Sequence, residues 1–384
     1  MRGYLFSPDV VRVVFVVGVV VSVLFYERMQ LTTGGAIVPA YLALSLGYPA
    51  TLVSTLIAGY LTWLIVNKVI VRRRILYGRR KFEVELLVGL SLVVLSILGE
   101  LLFNAFTRAN AELSTIGFLV PGIIAHDMFR QGPKKTIVAI LANVAVLGCL
   151  ILIFATVLPL FGANPRPERT LATATGYDRR LILPAIGISV IVCMAVFAEM
   201  GVRCGGFIGG AYLAFLLPRW GDLLVTAAVA ILTWYVVAEL LIPRLLLFGR
   251  RKLSTMVLFG ALIGWSFDIG IRLATDGRFE PGVGLPIMTL MVPALIANDA
   301  QRQGWGRTVL GVGLGMSAVA GIVSLLNVVL VLIGVIDLNR PPLSVIEAYG
   351  ALIVVGAVGV GGAWSLKRRQ AQSQAAMPAV DTGD

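Results

Sequence analysis

The sequence predicts an all-α polytopic integral membrane protein made of two tandem repeats with the same orientation. Three observations carry that expectation. The 384 residues are 58% hydrophobic and only 14% charged, with mean hydropathy +0.92, more apolar side chain than a water-facing surface can cover. The apolar residues fall in long runs, most of them near the roughly 20 residues that a helix needs to cross about 30 Å of hydrocarbon. Finally, two strings recur 171 to 172 residues apart. Leu76-Tyr77-Gly78-Arg79-Arg80-Lys81 returns as Leu247-Phe248-Gly249-Arg250-Arg251-Lys252. Val120-Pro121-Gly122-Ile123-Ile124-Ala125-His126-Asp127 with Arg130-Gln131-Gly132 returns as Val292-Pro293-Ala294-Leu295-Ile296-Ala297-Asn298-Asp299 with Arg302-Gln303-Gly304.

Repeat one is expected at 1–161. Its first run, 10–25, follows Arg2 and lacks a small-x-small cleavage site before Glu27, so it reads as a retained helix and not as a cleaved signal. Runs 50–71, 86–106 and 137–161 follow. A linker, 162–180, holds Pro165, Pro167, Glu168, Asp178 and four arginines, and belongs outside the lipid. Repeat two, 181–336, contributes runs 181–198, 223–242, 256–271 and 309–336. A helix within 337–366 has no counterpart in repeat one, and 367–384 reads as a disordered basic and polar tail.

Two segments per repeat are too short to span easily: 34–46 and 117–127, matched by 205–217 and 290–299. Eleven helical residues rise only ~17 Å. Pro121, Pro293 and the paired glycines release backbone groups that bare lipid cannot satisfy. Such segments are expected to line the interior. Parity between the two Gly-Arg-Arg-Lys loops lets both segments of a repeat cross or neither. The basic 367–369 favours crossing.

Much of the net charge of +12 lies at helix ends. Arg72, Arg73, Arg74, Arg79, Arg80 and Lys81 form one cluster and Arg244, Arg250, Arg251 and Lys252 its partner, so both loops are expected on the cytoplasmic side. Two equivalent loops on one side relate the repeats by an axis along the membrane normal. The same clusters would meet anionic lipids or another polyanion; no nucleic acid is implied.

Few residues could carry chemistry. The loop Arg79, Arg80, Lys81 and its copy Arg250, Arg251, Lys252 read either as topology signals or as a docking surface for a polyanion or partner. Topology alone would not require the same order after the same glycine. Asp127 with Arg130, and Asp299 with Arg302, lie three apart on one helical face and are expected to form local ion pairs, or to hold an arginine toward a carboxylate pathway. Glu27 and Glu199 each end an apolar helix shortly before a Gly-Gly pair, as caps or as gating residues. Asp268, Glu100 and Glu239 interrupt apolar runs without a matched partner. The single histidine, His126, is replaced by Asn298 in the second repeat. Cys149, Cys193 and Cys204 lack motif spacing and read as small core hydrophobes.

No metal site or cofactor is expected. With no Gly-Lys dipeptide there is no nucleotide P-loop, and Gly-x-Ser-x-Gly is absent too. The chain reads as a membrane component whose chemistry is done elsewhere.

The first repeat resembles a known family across its length. Glu27-Arg28, Gly35-Ala36-Ile37-Val38-Pro39-Ala40-Tyr41-Leu42-Ala43-Leu44, Ile75-Leu76-Tyr77-Gly78-Arg79-Arg80-Lys81-Phe82, Gly117-Phe118-Leu119-Val120-Pro121-Gly122-Ile123-Ile124-Ala125 and Arg130-Gln131-Gly132 follow the order of the PgsC/CapC family, the small membrane subunit of poly-gamma-glutamate synthase. The second repeat departs from it at Gly210, Phe248 and Ala294. The resemblance implies a non-catalytic subunit that anchors a Mur-ligase-like ATP-dependent poly-gamma-glutamate ligase. It implies a membrane-anchored accessory subunit on the outer face, and poly-gamma-glutamate as the polymer passed across the cell membrane. A secondary transporter of a small organic anion and a non-conducting scaffold are the competing readings.

Overall fold

The computed structural model describes residues 8–47, 49–73, 76, 78–103, 117–157, 177, 179–282, 284–334 and 368. The expected helix within 337–366, nearly all of the linker and of the tail, and the side chain of Glu100 lie outside them.

Among the described residues, six helices of seven or more residues belong to the first repeat: α1 (Pro8–Met29), α2 (Val38–Leu44), α3 (Pro49–Leu64), α4 (Gly78–Phe103), α5 (Val120–Gln131) and α6 (Pro133–Val157). Six more repeat that order: α7 (Ile182–Met200), α8 (Gly209–Leu216), α9 (Trp220–Trp234), α10 (Gly249–Ala274), α11 (Pro286–Gln303) and α12 (Trp305–Leu332). In lipid a helix satisfies its own backbone, which is why apolar runs of this length fold this way. Seven described stretches are long and apolar enough to cross: Val10–Met29, Pro49–Arg73, Pro133–Ile153, Ile182–Met200, Trp220–Leu245, Gly249–Ala274 and Trp305–Asn327. Their outer faces carry exposed Ile57, Val138, Leu152, Ile191, Leu224 and Leu325, the lipid-facing belt that the composition requires.

Both α3 and α9 end in a π-helical turn, Ile65–Ile70 and Tyr235–Leu241. The turn inserts a residue at the same level of each copy, a local widening that often marks a functional region.

The short segments run into the bundle from one end. The loop after α1 lies at the end of the bundle that holds the Gly-Arg-Arg-Lys strings, because Asp127 near the end of α5 accepts hydrogen bonds from Gly34 and Gly35. From there α2 and the turn Ser45–Gly47 carry the chain inward until Leu46 packs on Gly148, midway along α6. The helix that begins with α3 then returns, and Asn67 beyond α3 bonds Lys81 at the starting end. α5 runs back toward that end from a start where Gly117 meets the Tyr41 hydroxyl. The helix at 290–299 is longer than expected, with α11 running 18 residues through Pro293. α2, α5, α8 and α11 are all buried along most of their length, so protein and not lipid surrounds their backbone.

Close helix approach brings α5 into place. A Cβ on Gly122 would lie 2.7 Å from the Leu86 Cα and 2.8 Å from the Glu85 carbonyl oxygen. Backbone cannot yield as a side chain does, so Gly122→Val should destabilise the protein by about 3 kcal/mol, the upper range for overpacking. A thermal melt in detergent checks this. The second repeat places Ala294 at the equivalent position and keeps Gly260 opposite it, so the two copies set this spacing differently.

The repeats embrace reciprocally. α1 packs on α10 and α11 of the other copy, and α7 packs on α4. Arg12 on α1 pairs with Asp268 on α10 at 2.7 Å, and Glu27 on α1 pairs with Arg251 on α10. These pins join opposite ends of two antiparallel helices, and Arg12 and Glu27 stand about 22 Å apart along α1.

Candidate functional site

Both Gly-Arg-Arg-Lys strings lie at one end of the bundle and reach across the repeat boundary. Arg250 of the second repeat donates to Asp127 of the first, and Arg79 of the first lies 3.5 Å from the centroid of the Phe197 ring in the second. Between the repeats at this end is a cavity of about 1090 Å³. Its charged wall holds Arg79, Arg130, Arg203, Arg250, Arg251 and Arg302 against Glu27, Asp127 and Asp299, with His126 alongside. Deeper, the wall is apolar, including Leu86, Leu119, Val257 and Met291. Six guanidinium groups face three carboxylates, and Glu83 behind the wall offsets Arg79, which leaves a cationic surplus of two. Low-dielectric walls focus such a field on an entering anion.

The same polar module builds both halves. Asp127 Oδ2 accepts from the Gly34 and Gly35 amides at 2.9 and 3.2 Å; Asp299 Oδ2 accepts from Gly205 and Gly206 at 3.1 and 3.2 Å. All four glycines have φ between 73° and 86°, the region that side-chain-bearing residues avoid, and this aims both amides of each turn at one carboxylate. Gln131 clamps the backbone of Thr32, accepting from its N–H at 2.8 Å and donating to its carbonyl. Gln303 does the same to Arg203, at 2.9 and 3.0 Å. Each glutamine also donates to a threonine one turn on, Thr136 or Thr308. In Asp-x-x-Arg-Gln-Gly, the aspartate and glutamine therefore hold the loop, and the glycine ends the helix. The arginine is left exposed on the cavity wall.

The local ion pairs expected within this motif do not form. Asp127 turns to Arg250 and Asp299 to Arg203, the latter at 3.7 Å. Satisfying two backbone amides each, the aspartates face the glycine turn and not their own helix. Among the described residues Arg130 and Arg302 have no carboxylate within ion-pair distance, and both are exposed.

The remaining candidates divide. Arg251 lines the cavity and binds Glu27, so Glu27 joins the repeats and does not merely cap α1. Glu199, its counterpart, is exposed and lies off the cavity, and Arg80 is exposed at the bundle end. Lys81 is buried at 5% exposure. It donates to Asn67 at 2.8 Å and lies over the Phe129 ring, which makes it a tether for α3. Lys252 donates to Gln301 on α11 and also lies off the cavity.

The repeats are not electrostatically equal. Glu83 holds Arg79 at 2.8 Å, and Glu85 meets His126 at 2.7 Å and Lys81 at 3.8 Å. The second repeat has Ser254 and Met256 at these places. Arg79, kept by Glu83, leaves Asp299 to Arg203, which stands where repeat one has Thr32. Sequence reading passed over Glu83, Glu85, Arg203, Gln131 and Gln303. Gln131 and Gln303 were legible as matched positions, whereas the other three break the repeat and carried no pattern. Arg12 was also missed, and Asp268, unmatched in the first repeat, pairs both with Arg12 of the other copy and with Arg272 one turn on along α10.

Fold and cavity together define an internally duplicated, multi-pass membrane protein with a cationic chamber at its pseudo-symmetry interface. A family model described as capsule biosynthesis CapC matches residues 17–137 and again 186–309. The chain belongs to the CapC family, present here as two fused units. The capsule biosynthesis protein CapC of Bacillus anthracis is 36% identical over 133 residues, 35% of this chain and 87% of that relative. The PGA biosynthesis protein CapC of Bacillus subtilis (strain 168) is 34% identical over 128 residues, 33% of this chain and 83% of that relative. No solved structure matches the chain.

Proposed function

We propose that this chain is the membrane subunit of a complex that makes and exports poly-gamma-glutamate, with the inter-repeat cavity receiving the anionic polymer on the cytoplasmic side. The observation that supports this most is the pair of exposed arginines, Arg130 and Arg302, presented by matching modules on the wall of one cavity. Guanidinium groups bind carboxylates through two parallel hydrogen bonds, and a polymer with one carboxylate per residue offers both arginines a ligand at once. The other cavity arginines already hold Asp127, Asp299, Glu83 and Glu27. They set the field, and Arg130 and Arg302 meet the cargo.

A separate ATP-dependent ligase of the Mur-ligase type would dock at the same end, where Arg72, Arg73, Arg80 and Arg244 are exposed. Basic residues concentrate there, which favours the cytoplasmic side. An accessory subunit would meet the opposite end, and anionic lipids would meet the basic rim.

In cells carrying the whole complex, Arg130→Gln with Arg302→Gln should reduce polymer output at least tenfold while the chain reaches the membrane at unchanged level. Undiminished output would remove these residues from the pathway. Replacing both Gly-Arg-Arg-Lys strings by Gly-Gln-Gln-Gln tests ligase docking as well, but it also breaks the Arg250–Asp127 pair and the Lys81 tether. Uptake of labelled glutamate by vesicles containing this chain alone would support a small-anion transporter instead.

A further inference from the structure

The second Gly-Gly turn has a pair of thiols where the first has a pair of hydroxyls. In repeat one, Ser22 Oγ lies 2.7 Å from Thr33 Oγ1, and Ser22 also donates to the Gly35 carbonyl at 3.5 Å. Moving 171 positions on, Ser22 becomes Cys193 and Thr33 becomes Cys204. Cys193 Sγ takes the same role, donating to the Gly206 carbonyl at 3.6 Å. Both sulfurs crowd one point on α12. A Cβ built on Gly315 would lie 3.6 Å from Cys204 Sγ and 3.9 Å from Cys193 Sγ. Two side chains that approach this closely in the hydroxyl version have the reach for an S–S bond. Both cysteines are unbridged and buried, yet both line the cavity, whereas Cys149 faces outward on α6.

We propose that Cys193 and Cys204 are a redox-convertible dithiol whose disulfide clamps the Gly205-Gly206 turn to α7. Disulfides in a reducing compartment are generally transient and regulatory, and the location suits that role. Gly205 and Gly206 are the amides that hold Asp299, so the bond would fix one wall of the cavity and leave the other, built on Ser22 and Thr33, unaffected. The oxidant is a low-molecular-weight disulfide entering through the cavity. One cysteine thiolate attacks it and releases one small thiol. The second cysteine then attacks the mixed disulfide and releases the other. The protein loses two electrons and two protons, and both small thiols carry the protons away.

Oxidised glutathione is the probe, applied to the full chain in vesicles. After denaturation, maleimide-reactive thiols should fall from three to one. Tryptic digestion cuts at Arg203, so peptide 181–203 should appear linked to peptide 204–219 and separate on reduction. Amide hydrogen exchange in 204–219 should slow at least threefold on oxidation. The variant Cys193→Ser with Cys204→Thr, which installs the pair already present in repeat one, should insert normally and show neither change. Three reactive thiols after treatment, or a link through Cys149, would overturn the pairing. A bond that forms without slowing exchange would overturn the clamp.

Discussion

Asp268→Leu is expected to lower stability by about 3–5 kcal/mol, the range for removing one partner of a buried ion pair. Asp268 is 1% exposed and sits between Arg12, itself 3% exposed, and Arg272, each at 2.7 Å. Without it two guanidinium groups face each other inside the bundle, although Glu280 still lies 3.7 Å from Arg12. The effect should appear as an early melt in detergent and as separation of the α1–α10 contact. Arg12→Met combined with Asp268→Leu should recover part of the loss, because the buried Arg12 guanidinium is then removed with its partner, while Arg272 still loses Asp268. A single variant as stable as the parent would mean that the pair does not hold the repeats together.

Asp127→Ala should follow with a loss of about 3 kcal/mol. The Asp127 carboxylate is 2% exposed and serves three donors: the Gly34 and Gly35 amides and the Arg250 guanidinium. Each buried donor left without an acceptor costs about 1–3 kcal/mol. The Arg250 share is smaller, because that side chain is 28% exposed and water screens it. Asp127→Asn separates the contributions. Its amide oxygen can still accept from the glycine turn, so a loss of only about 1 kcal/mol is expected, mainly from the weakened Arg250 contact. Equal losses for both variants would show that charge, and not the hold on the turn, is what matters. In the synthase complex, Asp127→Ala should also reduce polymer output, because the turn and Arg250 both border the cavity.

The sequence by itself determined the helices, the duplication and the shared orientation of the repeats. Hydropathy is local and lipid admits few backbone structures, so runs such as 10–25 and 181–198 had one outcome, realised as α1 and α7. The matched strings also located the modules on the cavity wall, down to Arg130 and Arg302. Only the tertiary structure decided how the charges pair. Arg250 binds Asp127 and Arg251 binds Glu27 across more than a hundred residues of chain, and Arg12 finds Asp268 in the other repeat. It also buried the short segments inside the bundle, and it placed Cys193 beside Cys204. The reason is physical. In a water-soluble helix, polarity marks the outward face. Here lipid and protein interior are both apolar, so Leu152 facing lipid and Leu147 in the core look alike. Which faces meet, and which charges those faces bring together, was set by small residues allowing close approach and by polar groups needing partners.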